Sequence, residues 1–256
     1  MVVARLLLAV GALALVAACS SPQAQQRARQ ARAATAFLAT QGSIGDPGRV
    51  AAADFAFAKM AREEGTWTAF RAYAAQDAVM DAPGSFAPVS TVLAGRGDPD
   101  EPLRWAPTDV WSSCDGTLAA SLGRFLRPDG VVGDYVTIWR LQSDNSYKWI
   151  YDTGTPDDPQ PTPEPAADIP EGAIVVPGLR ALQGLIADCP RQGEARSPVP
   201  PRIVDAGTQV TAKAATDETL VASWMLLPGG ERRVLVQWLR DGDWQDAVDL
   251  VVAAER

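Results

Sequence analysis

The chain has no histidine among its 256 residues. This absence removes the side chain most often used as a general base, and it excludes a Ser-His-Asp triad. With three cysteines and no histidine, a zinc site is not expected either. We therefore predict no metal and no cofactor, and any acid–base chemistry would have to use carboxylates.

Basic residues are also scarce. The chain carries 23 Lys and Arg against 31 Asp and Glu, and its net charge is −8. No basic cluster stands out in the part expected to fold, so nucleic acid is not an expected partner. The hydrophobic share of 47% is typical of globular proteins, and the length suits one large domain or two small ones.

The apolar run from Leu6 to Val16 is too short for a membrane span of ~20 residues. Arg5 precedes it, and it ends in Val16-Ala17-Ala18-Cys19, so residues 1–18 are typical of a targeting signal. The arrangement resembles a bacterial lipoprotein signal. An ordinary secretory signal with a chance cysteine is the alternative.

The lipoprotein resemblance implies that Cys19 becomes the first residue of the mature chain and carries lipid, including an acyl chain such as palmitate. Several acyl chains on one residue give a stable membrane anchor. Ser20, at the next position, implies an outer-membrane protein of the Gram-negative cell envelope that faces the periplasm. Residues 19–47 would then be a tether. The arginines of residues 20–41 are either solvated or attracted to anionic lipid headgroups.

With Cys19 lipidated, Cys114 and Cys189 remain. An even number of cysteines in an oxidising compartment favours a disulfide between them. Such a bond would close a loop of about 75 residues, which the chain-entropy model values at ~4 kcal/mol. Two separate buried thiols are the alternative, and a nucleophilic cysteine is disfavoured because no histidine could activate it.

Two helices are predicted before the first strands. Gly48–Glu64 is rich in alanine and ends near Gly65, where Thr66 can cap a second helix that reaches Gln76. On this second helix, one stripe is aromatic and is formed by Trp67, Phe70 and Tyr73. The stripe either packs on a sheet or forms the upper wall of a pocket.

The stretch from Trp105 to Asp152 predicts four consecutive antiparallel strands separated by polar turns. Residues of the third strand expected on the core side are Tyr135, Thr137, Trp139 and Leu141. Residues expected on the opposite, water-facing side are Asp134, Val136, Ile138 and Arg140. In the fourth strand, alternation places Tyr147, Trp149 and Tyr151 on one side.

The order helix, helix, short strands and long meander resembles the nuclear-transport-factor-2-like superfamily, which includes ketosteroid isomerases and polyketide cyclases. The segments that carry the resemblance are FAKMAREEGTWTAFRAYAAQDAVM, WSSCDGTLAASLGRFLRPDG and DYVTIWRLQSDNSYKWIYD, within residues 48–154. It implies an α+β fold of the cystatin-like kind, in which N-terminal helices pack on a curved, cone-like antiparallel sheet around a cavity. Candidate pocket residues are Trp67, Phe70, Tyr73, Trp105, Tyr135, Trp139 and Trp149.

Members of that superfamily that act on steroids or polyketides often use a carboxylate base. The acids available here are Asp77, Asp81, Asp109 and Asp134, and Tyr73 and Tyr135 are available donors. A buried carboxylate with a raised pKa can act as a base without histidine. Each of these acids also suits a turn or an exposed strand face, so a structural role is the competing interpretation.

The remaining chain is predicted as a proline-rich linker over residues 155–201 and a smaller antiparallel β-rich lobe over residues 202–256. Within the linker, Gly178–Asp188 is predicted as a short helix. The sequence of the lobe partly repeats that of the meander, since TLAAS at residues 117–121 matches TLVAS at residues 219–223. Either a duplication or the general likeness of β-meanders explains this similarity.

Three functions remain open at this point. The first is a lipid-anchored, non-catalytic envelope protein that binds a small apolar molecule or an envelope partner. The second is an isomerase- or cyclase-like enzyme with an aspartate base. The third is a purely structural envelope lipoprotein.

Overall fold

The computed structural model describes residues 44–162, 181–190, 198 and 206–254. The described residues from Ile44 onward form one compact unit. The predicted signal and Cys19 lie outside the described residues, as do most of the predicted tether and linker. No helix of the described ranges is long and apolar enough to cross a membrane.

The described chain contains three helices and eleven strands, so the predicted α+β class is confirmed. The helices are α1 (Pro47–Glu64), α2 (Thr66–Tyr73) and α3 (Val89–Val92). The strands of the first half are β1 (Ala74–Ala82), β2 (Ser85–Pro88), β3 (Arg104–Ser112), β4 (Leu118–Leu126), β5 (Val132–Leu141) and β6 (Tyr147–Pro156). The later strands are β7 (Gln183–Ile186), β8 (Gln209–Ala214), β9 (Leu220–Leu226), β10 (Arg232–Arg240) and β11 (Asp243–Val252).

Helix α1 begins at a side-chain cap, because Asp46 Oδ1 accepts the N–H of Gly48 at 2.9 Å. It ends at Gly65, whose φ of 116° suits glycine. The predicted cap of α2 by Thr66 is wrong, since Thr66 is already helical and its hydroxyl accepts the N–H of Leu103 at 3.1 Å. The start of α2 is served instead by Asp98, which accepts two of its free backbone N–H groups.

Strands β1 to β7 form one sheet in the order β2-β1-β6-β5-β4-β3-β7. The predicted four-strand meander is present as β3 to β6. The sheet is mixed rather than antiparallel throughout, because β1 pairs with β6 and β7 pairs with β3 in parallel. Helix α2 also stops at Tyr73, short of the predicted Gln76, where the chain enters β1.

The helix predicted over Gly178–Asp188 is wrong for its described part. Gln183–Ile186 is strand β7, which extends along residues Asp109–Ser112 of β3. The backbone groups of the β3 edge need partners, and this tertiary pairing outweighs the helical spacing of the leucines. Gly184 suits the position because an added Cβ would lie 3.0 Å from Pro47 of α1.

The two faces of the large sheet meet different layers. Helices α1 and α2 cover one face, where Phe57 lies against Trp105 and Trp139. The opposite face was predicted to meet water, but Val136 and Ile138 are fully buried. The reason is that β8 to β11 form a second, antiparallel sheet in the order β11-β10-β9-β8, which packs on the first sheet through Tyr151 and Trp224.

The alternation predicted that Tyr151 lies on the same face as Trp149, and this prediction is wrong. The register between β5 and β6 shifts, so that Trp149 pairs with Trp139 while Tyr151 pairs with Ile138. This bulge turns Tyr151 towards the small sheet, where its ring stacks on Trp224 at 4.8 Å between centroids.

Strands β3–β6 are the first meander and β8–β11 the second. The two meanders meet through a reciprocal set of hydrogen bonds between corresponding turns, which we call the turn clasp (residues 114–117 and 216–219). The N–H of Asp115 donates to Asp217 Oδ2 at 2.7 Å, and the N–H of Asp217 donates to Asp115 Oδ2 at 3.0 Å. Cys114 N–H donates to Thr219 Oγ1 as Thr216 N–H donates to Thr117 Oγ1, both at 2.9 Å. Such reciprocity is what a local two-fold relation gives, and it favours the duplication.

Candidate functional site

The most unusual group of the helix-covered interior is the carboxylate of Asp54, whose residue is 0% exposed. Asp54 lies on the buried stripe of α1 between Val50 and Phe57. Its neighbours across the sheet come from β3, β4 and β5. Burying a carboxylate in such a position costs free energy of folding unless the group is hydrogen-bonded.

Three donors converge on Asp54. Trp105 Nε1 donates to Oδ1 at 2.9 Å, Ser121 Oγ donates to Oδ2 at 2.6 Å and Tyr135 OH donates to Oδ2 at 3.1 Å. Trp139 Nε1 donates in turn to Ser121 Oγ at 2.9 Å, which extends the chain of bonds. Burial raises the pKa of Asp54 to about 6, and the hydrogen bonds oppose this shift.

All seven predicted pocket residues lie in one hydrophobic core with α1. Those that are buried are Phe70, Trp105, Tyr135, Trp139 and Trp149, and those that are partly buried are Trp67 and Tyr73. Phe57 lies at their centre, with ring centroids 4.9 Å from Phe70 and 4.7 Å from Trp105. The residues are therefore brought together, and they pack on one another and on Phe57.

A second interior acid, Asp152 on β6, was not predicted. It accepts a hydrogen bond from Thr137 Oγ1 at 2.5 Å. Burial, together with the negative charges of Asp54 and Asp81, raises the pKa of Asp152 to about 8. Unlike Asp54, Asp152 keeps part of its surface exposed.

The four acids proposed from the sequence each have local partners. Asp77 accepts two hydrogen bonds from Arg140, and Asp134 pairs with Arg124. Asp109 accepts a bond from Thr108 at 2.8 Å. Asp81 accepts from Tyr151 at 2.8 Å and from Thr153 at 2.7 Å, and it lies 3.3 Å from Arg232 Nε. These contacts give each acid a structural role.

Asp54 could have been found from the sequence by helical spacing. Val50, Asp54, Phe57 and Ala61 recur at intervals of three and four residues, which places an acid on an apolar face. An acid on such a face indicates a buried carboxylate with partners. Asp152 left no comparable signal, because the bulge in β6 changes which side chains point inward.

The predicted disulfide between Cys114 and Cys189 is confirmed, with 5.1 Å between their Cα atoms. It ties the turn after β3 to the segment after β7, next to the turn clasp. Within the described ranges, no group of three or more Cys, Asp or Glu side chains is arranged to hold a metal ion.

A groove of about 350 Å³ lies between the two sheets, and we call it the inter-sheet groove. Its lining residues are Asp77, Val79, Phe86, Ile150, Gln209, Thr211, Lys213 and Trp224. Val79, Phe86, Ile150 and Trp224 give it an apolar floor, while β1 and β8 supply a polar rim. A second groove of about 500 Å³ lies beside α1, and Arg49 and Lys148 line it.

No protein-family model matches the chain, and no curated protein matches it either.

Proposed function

We propose that this chain is a lipid-anchored protein of the cell envelope that acts without catalysis and binds its ligand or partner on its surface. The observation that carries the proposal is the sealed interior around Asp54. A general base must come within hydrogen-bond reach of the proton that it removes. Asp54 has no exposed surface, and its two oxygens already accept three hydrogen bonds from Trp105, Ser121 and Tyr135.

The anchor part of the proposal rests on the sequence alone, on Arg5, the short apolar run and Val16-Ala17-Ala18-Cys19. The likeness to the nuclear-transport-factor-2-like superfamily is supported by the order of elements, two helices and a β-hairpin before the four-strand meander. In this chain the space that such a fold would leave for a ligand is occupied by Phe57 and the aromatic rings around it.

Two variants test the proposal. Cys19→Ala removes the lipidation site, so we expect it to move from the membrane to the soluble fraction. Asp54→Asn keeps the shape of the side chain but places an amide NH₂ opposite a hydrogen-bond donor, so we expect it to lower stability near pH 5 without changing what the protein binds. Fractionation at high salt and native mass spectrometry of protein from its own host measure the two effects.

Retention of Cys19→Ala in membranes at high salt would contradict the anchor. Loss of a bound molecule in Asp54→Asn, at a temperature where that variant remains folded, would contradict the claim that the interior takes no part in binding. If the wild-type protein consistently carries neither a small molecule nor a partner, the purely structural function is the one that remains.

Asp152 supports a second candidate, an isomerase- or cyclase-like enzyme with an aspartate base. Residue Asp152 keeps some exposed surface, burial of its carboxyl group raises the pKa to about 8, and Thr137 donates a hydrogen bond to it. If Asp152 meets a substrate, a carbodiimide should modify it in the folded protein near neutral pH, as peptide mass spectrometry would detect. If it is modified only after unfolding, the enzymatic candidate fails.

A further inference from the structure

Strand β8 is the last strand of the small sheet, and its outer edge has no strand partner among the described residues. Five of its six residues are exposed. An open edge presents unpaired backbone N–H and C=O groups, which can pair with another extended chain. Proteins usually protect such edges with short strands, proline, bulges or charged side chains.

The other three sheet edges of the described chain are protected in this way. Strand β2 has four residues and ends at Pro88, and β7 also has only four residues. Strand β11 carries Asp243, Asp246 and Asp249, and its pairing with β10 contains a register shift. Strand β8 has six residues in unbroken register with β9, and Lys213 is its single charge.

The pairing with β9 determines which backbone groups of β8 are free. Ala215 N–H donates to Leu220 O at 2.9 Å, so this opposed pair is a hydrogen-bonded one. Hydrogen-bonded and non-bonded pairs alternate along an antiparallel ladder. The backbone groups of Val210, Ala212 and Ala214 therefore point to the open edge, and a partner strand would pair with them.

The inter-sheet groove runs along this same edge. The side chains of Gln209, Thr211 and Lys213 line it, opposite the apolar floor that contains Phe86 and Trp224. Trp224 is 2% exposed, and its Nε1 is a buried donor without a hydrogen-bond partner. In strand addition the edge provides affinity, and pockets for alternate side chains provide specificity.

Asp77 and Lys213 line the groove, and together with Arg140, which pairs with Asp77, they carry one net positive charge. Hydrogen bonds from Arg140, and more weakly the charge of Lys213, lower the pKa of Asp77. Asp77 pairs with Arg140, whereas Lys213 forms no ion pair with any described residue. An incoming strand that places a carboxylate beside Lys213 would complete this cluster.

We propose that β8 binds an extended segment of another envelope protein by strand addition, with apolar side chains over the groove floor and an acidic one beside Lys213. A second copy of this chain fits less well, because β8 contains no acid to place beside Lys213. The inference specifies the partner-binding side of the proposed function and does not depend on the lipid anchor.

The probe is the peptide TETVTVTET-amide with fluorescein on its N-terminal amine, measured by fluorescence anisotropy with the full-length protein in detergent. Its sequence reads the same in both directions, so it can pair with β8 in a parallel or an antiparallel arrangement. A second peptide with Lys in place of Glu, the basic twin, has the opposite charge. Ala212→Pro removes one donor from the open edge without breaking a bond to β9. Ala212→Val is the matched control because it keeps this donor.

We expect the acidic peptide to bind the wild type and Ala212→Val with affinities within about twofold, and Ala212→Pro about tenfold or more weakly. Lys213→Glu should weaken the acidic peptide about fivefold and strengthen the basic twin, because the attraction reverses. The Lys213→Glu exchange keeps the proposal testable if Ala212→Pro does not fold.

Equal affinity of the acidic peptide for the wild type and a folded Ala212→Pro, or no binding up to about 1 mM, which is a free energy of about −4 kcal/mol, would overturn the proposal. Sedimentation tests the other occupant, because a dimer that Ala212→Pro abolishes would assign the edge to a second copy. If neither peptide binds but native mass spectrometry shows a molecule retained by the protein, the β8 site is refuted and the proposed function still stands.

Discussion

The two meanders are built on matching segments, and a pair of equivalent serines shows how differently they are used. Ser121 in TLAAS donates to Asp54 and accepts from Trp139 Nε1. Ser223, at the corresponding place in TLVAS, is equally buried, but its Oγ has no hydrogen-bond partner. The first meander is covered by α1, which supplies Asp54, whereas no described helix covers the second. The serine hydroxyl of this segment is therefore hydrogen-bonded in the first meander and unsatisfied in the second.

The difference indicates a division of roles. The first meander holds the largest fully buried side chains, Trp139, Trp149 and Tyr151. The second meander supplies the open edge of β8 and one wall of the inter-sheet groove. Stability should therefore depend mainly on the first meander, and recognition on the second.

The largest expected effect comes from the buried tryptophan of one central strand in each meander, Trp139 of β5 and Trp238 of β10. Trp139→Ala should lower the free energy of unfolding by about 3–5 kcal/mol, because the side chain is fully buried against Phe57 and donates to Ser121. Trp238→Ala should cost less, since Trp238 is 6% exposed and lies beneath the guanidinium of Arg240 at the rim. Urea unfolding of both variants measures this, and equal losses would contradict the division of roles.

The next effect is a dependence of stability on pH that originates in the first meander. The pKa of Asp54 is raised from 3.8 to about 6 and that of Asp152 to about 8. A raised pKa in the folded state means that these groups contribute stability below about pH 4, and that the contribution is lost as pH rises through 6 and then 8.

Asp152→Asn tests the sign of this dependence. The variant should match the wild type at about pH 3, where the carboxyl is protonated in both the folded and the unfolded state, and should exceed its free energy of unfolding at pH 9 by several kcal/mol. Asp241→Asn, at an exposed carboxylate of the second meander, is the control and should follow the wild type at both pH values. A thermal melt series across pH measures both, and a less stable Asp152→Asn at pH 9 would show that the carboxylate is favoured as an anion.

The serine pair gives a smaller but direct contrast. Ser121→Ala should destabilise the fold by about 2 kcal/mol, because it leaves Trp139 Nε1 without its acceptor and removes a donor to Asp54. Ser223→Ala should be neutral or slightly stabilising, since it removes a buried hydroxyl that has no partner. Equal destabilisation in denaturant titrations would mean that the two meanders are supported alike.

The turn clasp should give the smallest effect. Asp115→Ala and Asp217→Ala each remove one acceptor of the reciprocal pair together with the bonds that the same carboxylate accepts within its own turn, and should each cost about 1–2 kcal/mol. Because the two bonds belong to one unit, the double variant should cost less than the sum. Strict additivity in a double-mutant cycle would show that the two turns do not act together.

The sequence alone predicted the parts of this fold that depend on local patterns. The alternation and polar turns of residues 105–152 identified β3 to β6, and the even count of cysteines identified the disulfide. Strand β7 was missed because its parallel pairing with β3 joins residues far apart in the chain. The orientation of Tyr151 was missed because a bulge leaves no mark in the alternation.

The interior acids illustrate the same limit. Asp54 was recoverable from the spacing of α1, whereas its three donors come from three different strands and are brought together only by the fold. The inter-sheet groove depends on how two sheets pack, which neither spacing nor composition specifies.

The central claim is that the helix-covered interior is closed, so that Asp54 is a structural group. The most direct measurement is hydrogen exchange of the indole N–H groups of Trp105 and Trp139 by NMR in deuterated water, with Trp67 at the partly exposed rim for comparison. A closed interior predicts that both buried indoles exchange only through global unfolding, with an opening free energy equal to that of unfolding. Exchange of Trp105 at the rate of Trp67, far below that free energy, would show that solvent and ligands reach Asp54 and would contradict the account.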